Sequence, residues 1–167
     1  MPIQRLNHAV LYVRDVERSV AFYRDVLGFR KVTQIPGRAA FLQAEGSSND
    51  HDLGLFAVGD AAGASPAGRG AVGLYHLAWE VDTLAELARV RDRLAAEGAL
   101  AGASDHGTTK ALYGRDPDGL EFEVSWLVPA DRLTADQALQ TAPLDLAGDI
   151  ERYGAQTPGG VGVSHRA

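Results

Sequence analysis

The chain has 167 residues, 46% of them hydrophobic and 23% charged, with 22 acidic against 16 basic side chains and a formal charge of -6. That is one domain's worth of core-forming material, without the basic stripe of a nucleic-acid binder or the roughly 18 consecutive apolar residues of a membrane span. The lack of any cysteine excludes a disulfide scaffold, an iron–sulfur cluster, a thiolate zinc site and a cysteine nucleophile. The opening MPIQRLNHAVLYVRD lacks the charged head and apolar run of a secretory signal, so a soluble cytoplasmic protein is expected.

In chain order, residues 6–13 (LNHAVLYV) have the length and the branched and aromatic content of a strand. A helix is expected over 16–27. Asp15 can cap it, apolar side chains recur at Val16, Val20, Tyr23 and Leu27, and Gly28 can end it. Three short strands follow at 29–35, 38–45 and 51–58, with Pro36-Gly37 as a turn. Residues 59–73, rich in Gly, Ala and Pro, read as a linker. Then the order repeats. A strand at 74–81 leads to a helix at 84–97, where Thr83 and Glu86 form a capping box, Leu84, Leu87, Arg91 and Leu94 form one stripe with Arg91 expected at its edge, and Gly98 stops it. Strands at 99–103, 110–115 and 120–127 complete the second copy. Asp116-Pro117-Asp118-Gly119 suits a type I turn between the last two.

A shift of 68 residues lays His8 on His76 and Val13 on Val81. The predicted fold is therefore α+β: two βαβββ modules forming a curved, partly open eight-stranded sheet around a cavity, plus a C-terminal extension. The expected organisation is a single domain over 1–127 (module one 3–58, linker 59–73, module two 74–127) and an extension over 128–167. Within the extension, 134–140 and 144–153 are expected to be helical and the end, GAQTPGGVGVSHRA, frayed. These segments are expected to pack outside or to close one end of the cavity.

Side chains alternate along a strand, so His8 shares a face with Leu6, Val10 and Tyr12, and His76 with Leu74, Ala78 and Glu80. Matching places in two copies of one unit predict similar depth for the two imidazoles. The last strand carries Glu121, Glu123 and Ser125 on one face. Glu121 lies at the turn, and Glu123, two residues deeper, is the better candidate for a buried carboxylate. Two histidines and one carboxylate can form a facial triad that leaves coordination positions open on a metal. Against this stands the plainer alternative that each histidine is an ordinary core or surface residue. Such nitrogen and oxygen donors do not by themselves select iron over zinc or nickel. His51 opens a strand, and His106 lies in a polar loop ahead of Tyr113. For both, a solvated loop residue is the alternative, and His165 in the tail reads as solvated.

The paired units, the helix DVERSVAFYRDVLGF and the turn-strand DPDGLEFEV resemble the vicinal oxygen chelate superfamily over residues 3–127. Its members include glyoxalase I, fosfomycin-resistance enzymes, bleomycin-binding proteins and type I extradiol (catechol 2,3-) dioxygenases. The chain resembles the extradiol branch most, residue by residue. The resemblance implies metal ligands at His8, His76 and Glu123, a catalytic acid–base at His51 in HDLGLF, and substrate-binding groups at His106 and Tyr113 in DHGTTKALYGRDPDG. Many extradiol enzymes carry two such pairs of units where this chain has one, and Leu120 stands where asparagine usually follows the turn. The branch implies Fe(II), with Mn(II), Zn(II) or Ni(II) as alternatives, and ring cleavage of a small aromatic diol by O2. A homodimer is the default for a small enzyme, and no nucleic-acid or membrane partner is expected. Three other activities belong to the same superfamily. A glyoxalase-like isomerase usually takes a further glutamate from the last strand of the first half, where this chain has Leu53-Gly54-Leu55-Phe56. A fosfomycin-type thiol transferase shares the His/His/Glu triad. A non-catalytic drug binder would use Trp79, Trp126 or Phe56 for stacking.

Overall fold

Segments that are apolar on both faces must lie inside a sheet, and segments carrying charge belong at its edges. The first module follows this rule. β3 (Ala39–Gln43) and β4 (Leu53–Ala57) are mostly buried, whereas β2 (Arg30–Ile35) is exposed along nearly its whole length. With β1 (Ala9–Val13) they form a four-stranded sheet ordered β1-β4-β3-β2, in which β1 and β4 run parallel and the other pairs antiparallel. The second module repeats the order as β5-β8-β7-β6, from β5 (Leu77–Glu80), β6 (Leu100–Asp105), β7 (Thr109–Arg115) and β8 (Glu121–Leu127). The fold is thus α+β, as expected, with its eight strands in two open four-stranded sheets.

This computed structural model describes residues 2–3, 5–67, 70–134, 141–160 and 163–164. They divide into two compact units, Met1–Ser65 with Asp116–Gly119, and Pro66–Arg115 with Leu120–Ala167. Among the described residues no helix is long and apolar enough to cross a membrane.

In the first unit α1 (Val16–Asp25) begins where Asp15 accepts a hydrogen bond from the Arg18 amide, with Glu17 and Arg24 complementing the helix dipole at its two ends. It buries Val16, Val20 and Tyr23 on the sheet. The turn 116–119 is held against this helix. Asp118 accepts from the Arg14 amide at 3.0 Å and pairs with the guanidinium groups of Arg14 (3.0 Å) and Arg18 (2.7 Å), while Tyr23 donates to Asp116 at 3.3 Å. Gly119 donates to the Asp116 carbonyl, which closes the expected four-residue turn.

In the second unit α2 (Leu84–Ala96) starts at Thr83, which accepts from the Glu86 amide. Only half of the expected capping box forms, because the Glu86 carboxylate bonds Arg89 instead. The stripe gains Val90, and Arg91 lies at its edge as expected. Val90 is buried with Leu84, Leu87 and Leu94, while Arg91 is half-buried and pairs with Asp92, one residue around the helix being enough to bring its charge to water. Both histidine-bearing strands are shorter than predicted. β1 and β5 begin at Ala9 and Leu77, so His8 and His76 each stand one residue ahead of the ladder, still related by the shift of 68.

After β8 come a 3-10 turn at Ala130–Arg132 and α3 (Leu146–Tyr153), capped by Asp145. Residues 135–140, where a helix was expected, lie outside the described residues, as does His165. The frayed end predicted for the tail is corrected for its first part. Gly159 donates to the Asp82 carbonyl, Ala155 accepts from Ala85, and Thr157 accepts from the indole of the fully buried Trp126. A side chain at Gly159 would sit 2.2 Å from the Leu127 carbonyl, so glycine is what lets this segment lie against β8.

Candidate metal centre

Alternation on β8 sends Phe122, Val124 and Trp126 into the core and Glu123 to the opposite face. There Glu123 has Ala78 of β5 and Tyr113 of β7 as its lateral ladder neighbours. His76, at the head of β5, brings its Nε2 within 3.3 Å of Glu123 Oε2, with both side chains largely buried. The Tyr113 ring lies 6.0 Å from that of His76, and its hydroxyl is 2.8 Å from His106 Nε2. Burial, the Glu123 carboxylate and Tyr75 together hold the Tyr113 phenol above its ordinary range. The second unit therefore groups four of the predicted site residues, Glu123, His76, Tyr113 and His106, on one face.

The other two lie in the first unit, and they lie together. The rings of His8 and His51 are 4.6 Å apart, and Phe41 meets His51 edge-on at 5.1 Å. His51 does not open a strand as predicted. It stands two residues ahead of β4, its Nδ1 facing Asp50 at 3.3 Å, and His8 Nδ1 faces Asn7 at 2.7 Å. Sequence reading missed the clamp beneath this pair. Buried Asn49 donates to the Asn7 carbonyl and to Asp52 Oδ1, both at 2.8 Å. Asp52 in turn accepts from the Ala44 amide and the Ser47 hydroxyl. One carboxamide thus ties the residue before His8 to the residue after His51. The segment SSNDHD offered only its polarity as a signal, and polarity reads as loop.

The first unit also has a counterpart to Glu123. Leu53 and Leu55 are the core residues of β4, as Phe122 and Val124 are of β8. Gly54 pairs with Val10 and Phe41 as Glu123 pairs with Ala78 and Tyr113. The first sheet has no carboxylate where the second has one.

His76 and Glu123 suit a divalent cation. Two ligands at right angles with bonds of about 2.1 Å stand about 3.0 Å apart. The 3.3 Å between Nε2 and Oε2 is near that spacing and longer than a strong ionic hydrogen bond. His76 Nδ1 is buried without a hydrogen-bond partner among the described residues. Imidazole with carboxylate is a donor set open to iron, manganese, zinc or nickel. Among the described residues no three His, Asp or Glu side chains are grouped to hold an ion. The second unit supplies two of the three predicted ligands, and His8 belongs to the first.

Comparison with known proteins agrees with this architecture. A catechol-2,3-dioxygenase of Bacillus subtilis (strain 168) is 32% identical over 153 residues, covering 89% of this chain and 52% of that protein. The chain thus spans about half the length of this curated relative. A glyoxylase/bleomycin resistance protein/dioxygenase domain from Frankia sp. EAN1pec has the same fold, with a TM-score of 0.63 at 23% identity over 74% of this chain and 92% of that one. A lactoylglutathione lyase from Agrobacterium tumefaciens matches with a TM-score of 0.56 at 29% identity, over 75% and 95%. The model of the Glyoxalase/Bleomycin resistance protein/Dioxygenase superfamily matches residues 5–124, and with the doubled βαβββ unit it identifies the chain as a member of that superfamily.

Proposed function

We propose that the protein is an extradiol dioxygenase acting on a small aromatic diol, with His8, His76 and Glu123 as ligands of a divalent metal, Fe(II) first among the candidates. The observation that carries this reading is the continuous group Glu123–His76–Tyr113–His106. A metal-binding pair alone would suit any metalloenzyme of the superfamily, whereas an adjoining histidine–phenol pair suits the binding of substrate oxygens. The likeness to a catechol-2,3-dioxygenase supports it.

His8, His76 and Glu123 would hold the metal, and the chemistry it would supply there is Lewis acidity toward the diol oxygens and a place for O2. The chain's own groups do the rest. His51 accepts a proton from the diol and later returns one, as general base and then general acid. Tyr113, kept protonated by its surroundings, donates to an oxygen that gains charge, and His106 orients that phenol. Phe41 holds the His51 ring edge-on and limits its rotation.

A second reading, a glyoxalase-like isomerase, is favoured by the likeness to the lactoylglutathione lyase. It is disfavoured by Gly54, which leaves the first sheet without the extra carboxylate. One experiment separates them. Protein loaded anaerobically with Fe(II) is given a panel of catechols in air, and oxygen uptake and the yellow ring-opened product are followed. A parallel sample receives methylglyoxal with thiols, and another fosfomycin with thiols. Turnover of a catechol, lost with at least a hundredfold fall in Glu123→Ala, is the expected result. Thioester formation without oxygen uptake would favour the isomerase, and thiol addition to fosfomycin the transferase. Failure to take up a stoichiometric metal would point to a drug-binding protein.

A further inference from the structure

Lys110 is an anomaly in the second unit. Its side chain is 2% exposed, yet it carries an ammonium, 2.6 Å from Asp105 Oδ2 and 3.0 Å from Asp149 Oδ1. Its nitrogen lies 5.7 Å from the centre of the Tyr153 ring. Burying one ammonium and most of two carboxylates costs several kcal/mol per ion, and the attraction among them offsets that cost only in good geometry. The geometry here is incomplete, because Asp149 Oδ2 is buried without a hydrogen-bond partner among the described residues. An apolar trio of the same volume would hold α3 on the sheet at least as well.

The cluster acts on a particular place in the chain. Asp105 is the last residue of β6, and His106 follows it in a three-residue link to β7. Asp105 spends one carboxylate oxygen on Lys110 and the other on the Gly107 amide at 2.7 Å. Its backbone amide and carbonyl both pair with Ala142, at 2.8 and 2.9 Å. Thr141 brings its hydroxyl to 3.4 Å from His106 Nδ1, on the side of the ring away from Tyr113. Asp149, Ala142 and Thr141 all come from the C-terminal extension.

We propose that Asp149 is a positioning residue for His106, acting through Lys110 and Asp105, and that the extension is therefore part of the site's framework. Asp149 fixes the ammonium, the ammonium fixes the Asp105 carboxylate, and that carboxylate fixes the link that aims His106 at the Tyr113 hydroxyl. The structural claim stands on these contacts. Its consequence for turnover rests on the dioxygenase reading.

The test compares wild type with Asp149→Asn and with the double variant Lys110→Met/Asp149→Leu. The double variant replaces two of the three charges by apolar volume, leaves Asp105 on the Gly107 amide, and is expected to keep its fold if the Asn variant does not. Long-range 1H–15N spectra of the histidine side chains report the state of each imidazole. In wild type the His106 nitrogens give one set of signals belonging to a single tautomer. In either variant they broaden and average while those of His51 are unchanged, and catechol turnover falls roughly ten- to a hundredfold. Glu151→Gln, on the exposed side of α3, leaves both readouts as in wild type. Wild-type His106 signals in a folded variant would overturn the proposal. If His106 loses order but wild type turns over no diol, the positioning role stands and the dioxygenase reading falls.

Discussion

At the scale of single residues the two sheets differ at one equivalent position, a carboxylate in the second and a glycine in the first. Glu123 brings charge between Ala78 and Tyr113, whereas at Gly54 a Cβ would already stand 3.4 Å from Val10 and 3.7 Å from the Phe41 ring. The first sheet gives that space to the aromatic wall of Phe41 and Phe56, rings 5.8 Å apart, beside His51. Ionisation of buried Tyr23 bears on the fold. Burial, followed by the neighbouring Asp116 carboxylate, pushes its phenol well above its ordinary value. A raised folded-state value means that the contribution is fully present below the unfolded value of about 10 and is lost as pH rises through the folded one. Wild type should therefore lose stability steadily above about pH 10, and Tyr23→Phe should lose less while costing about 1 kcal/mol at neutral pH. Urea midpoints of the two proteins between pH 7 and 11 check both statements.

At the scale of elements, caps and turns set where each module starts. Asp15 and Thr83 begin equivalent helices, and Asp118 joins the turn 116–119 to the start of α1 through one amide and two guanidinium groups. The Asp118 side chain is 6% exposed, so its bonds to Arg14 are made away from water, while Arg18 is half exposed and its pair counts for less. Asp118→Ala should cost roughly 1.5–3 kcal/mol. The urea midpoint should fall with an unchanged slope, because the denatured chain exposes the same surface. These contacts were illegible in the sequence although the DPDG turn itself was legible. A turn is made by residues three apart, whereas Arg14 and Asp118 meet only once the chain has folded. Val90 makes the same point within α2, where spacing left it out of the stripe and packing buried it with Leu84, Leu87 and Leu94.

At the scale of the whole molecule, the extension was expected to pack outside or to close one end of the cavity, and the structure groups it with the second unit. Trp126 is fully buried beneath it, its ring tilted against that of Tyr153 with centroids 5.5 Å apart, and Leu146 and Tyr153 complete an apolar patch. Ending the chain at Val128 would expose that patch and leave Lys110 with Asp105 alone. The expected result is a fall in the melting temperature of roughly 10–20 °C, read by circular dichroism.

While the roles expected of the six candidate site residues came from the family resemblance, the amino-acid order alone determined the doubled βαβββ plan, the two helices and the turn before Glu123. Those signals are local, because caps, turns and side-chain alternation act over one to four residues, and the repeat writes them twice. Tertiary structure alone decided that His106 meets Tyr113, that Asn49 clamps the segments of His8 and His51, that Gly54 answers to Glu123, and that Asp149 reaches Lys110. Each of these depends on which distant segments exclude water from a polar group together. Desolvation is a property of the packed chain, and no stretch of sequence carries it.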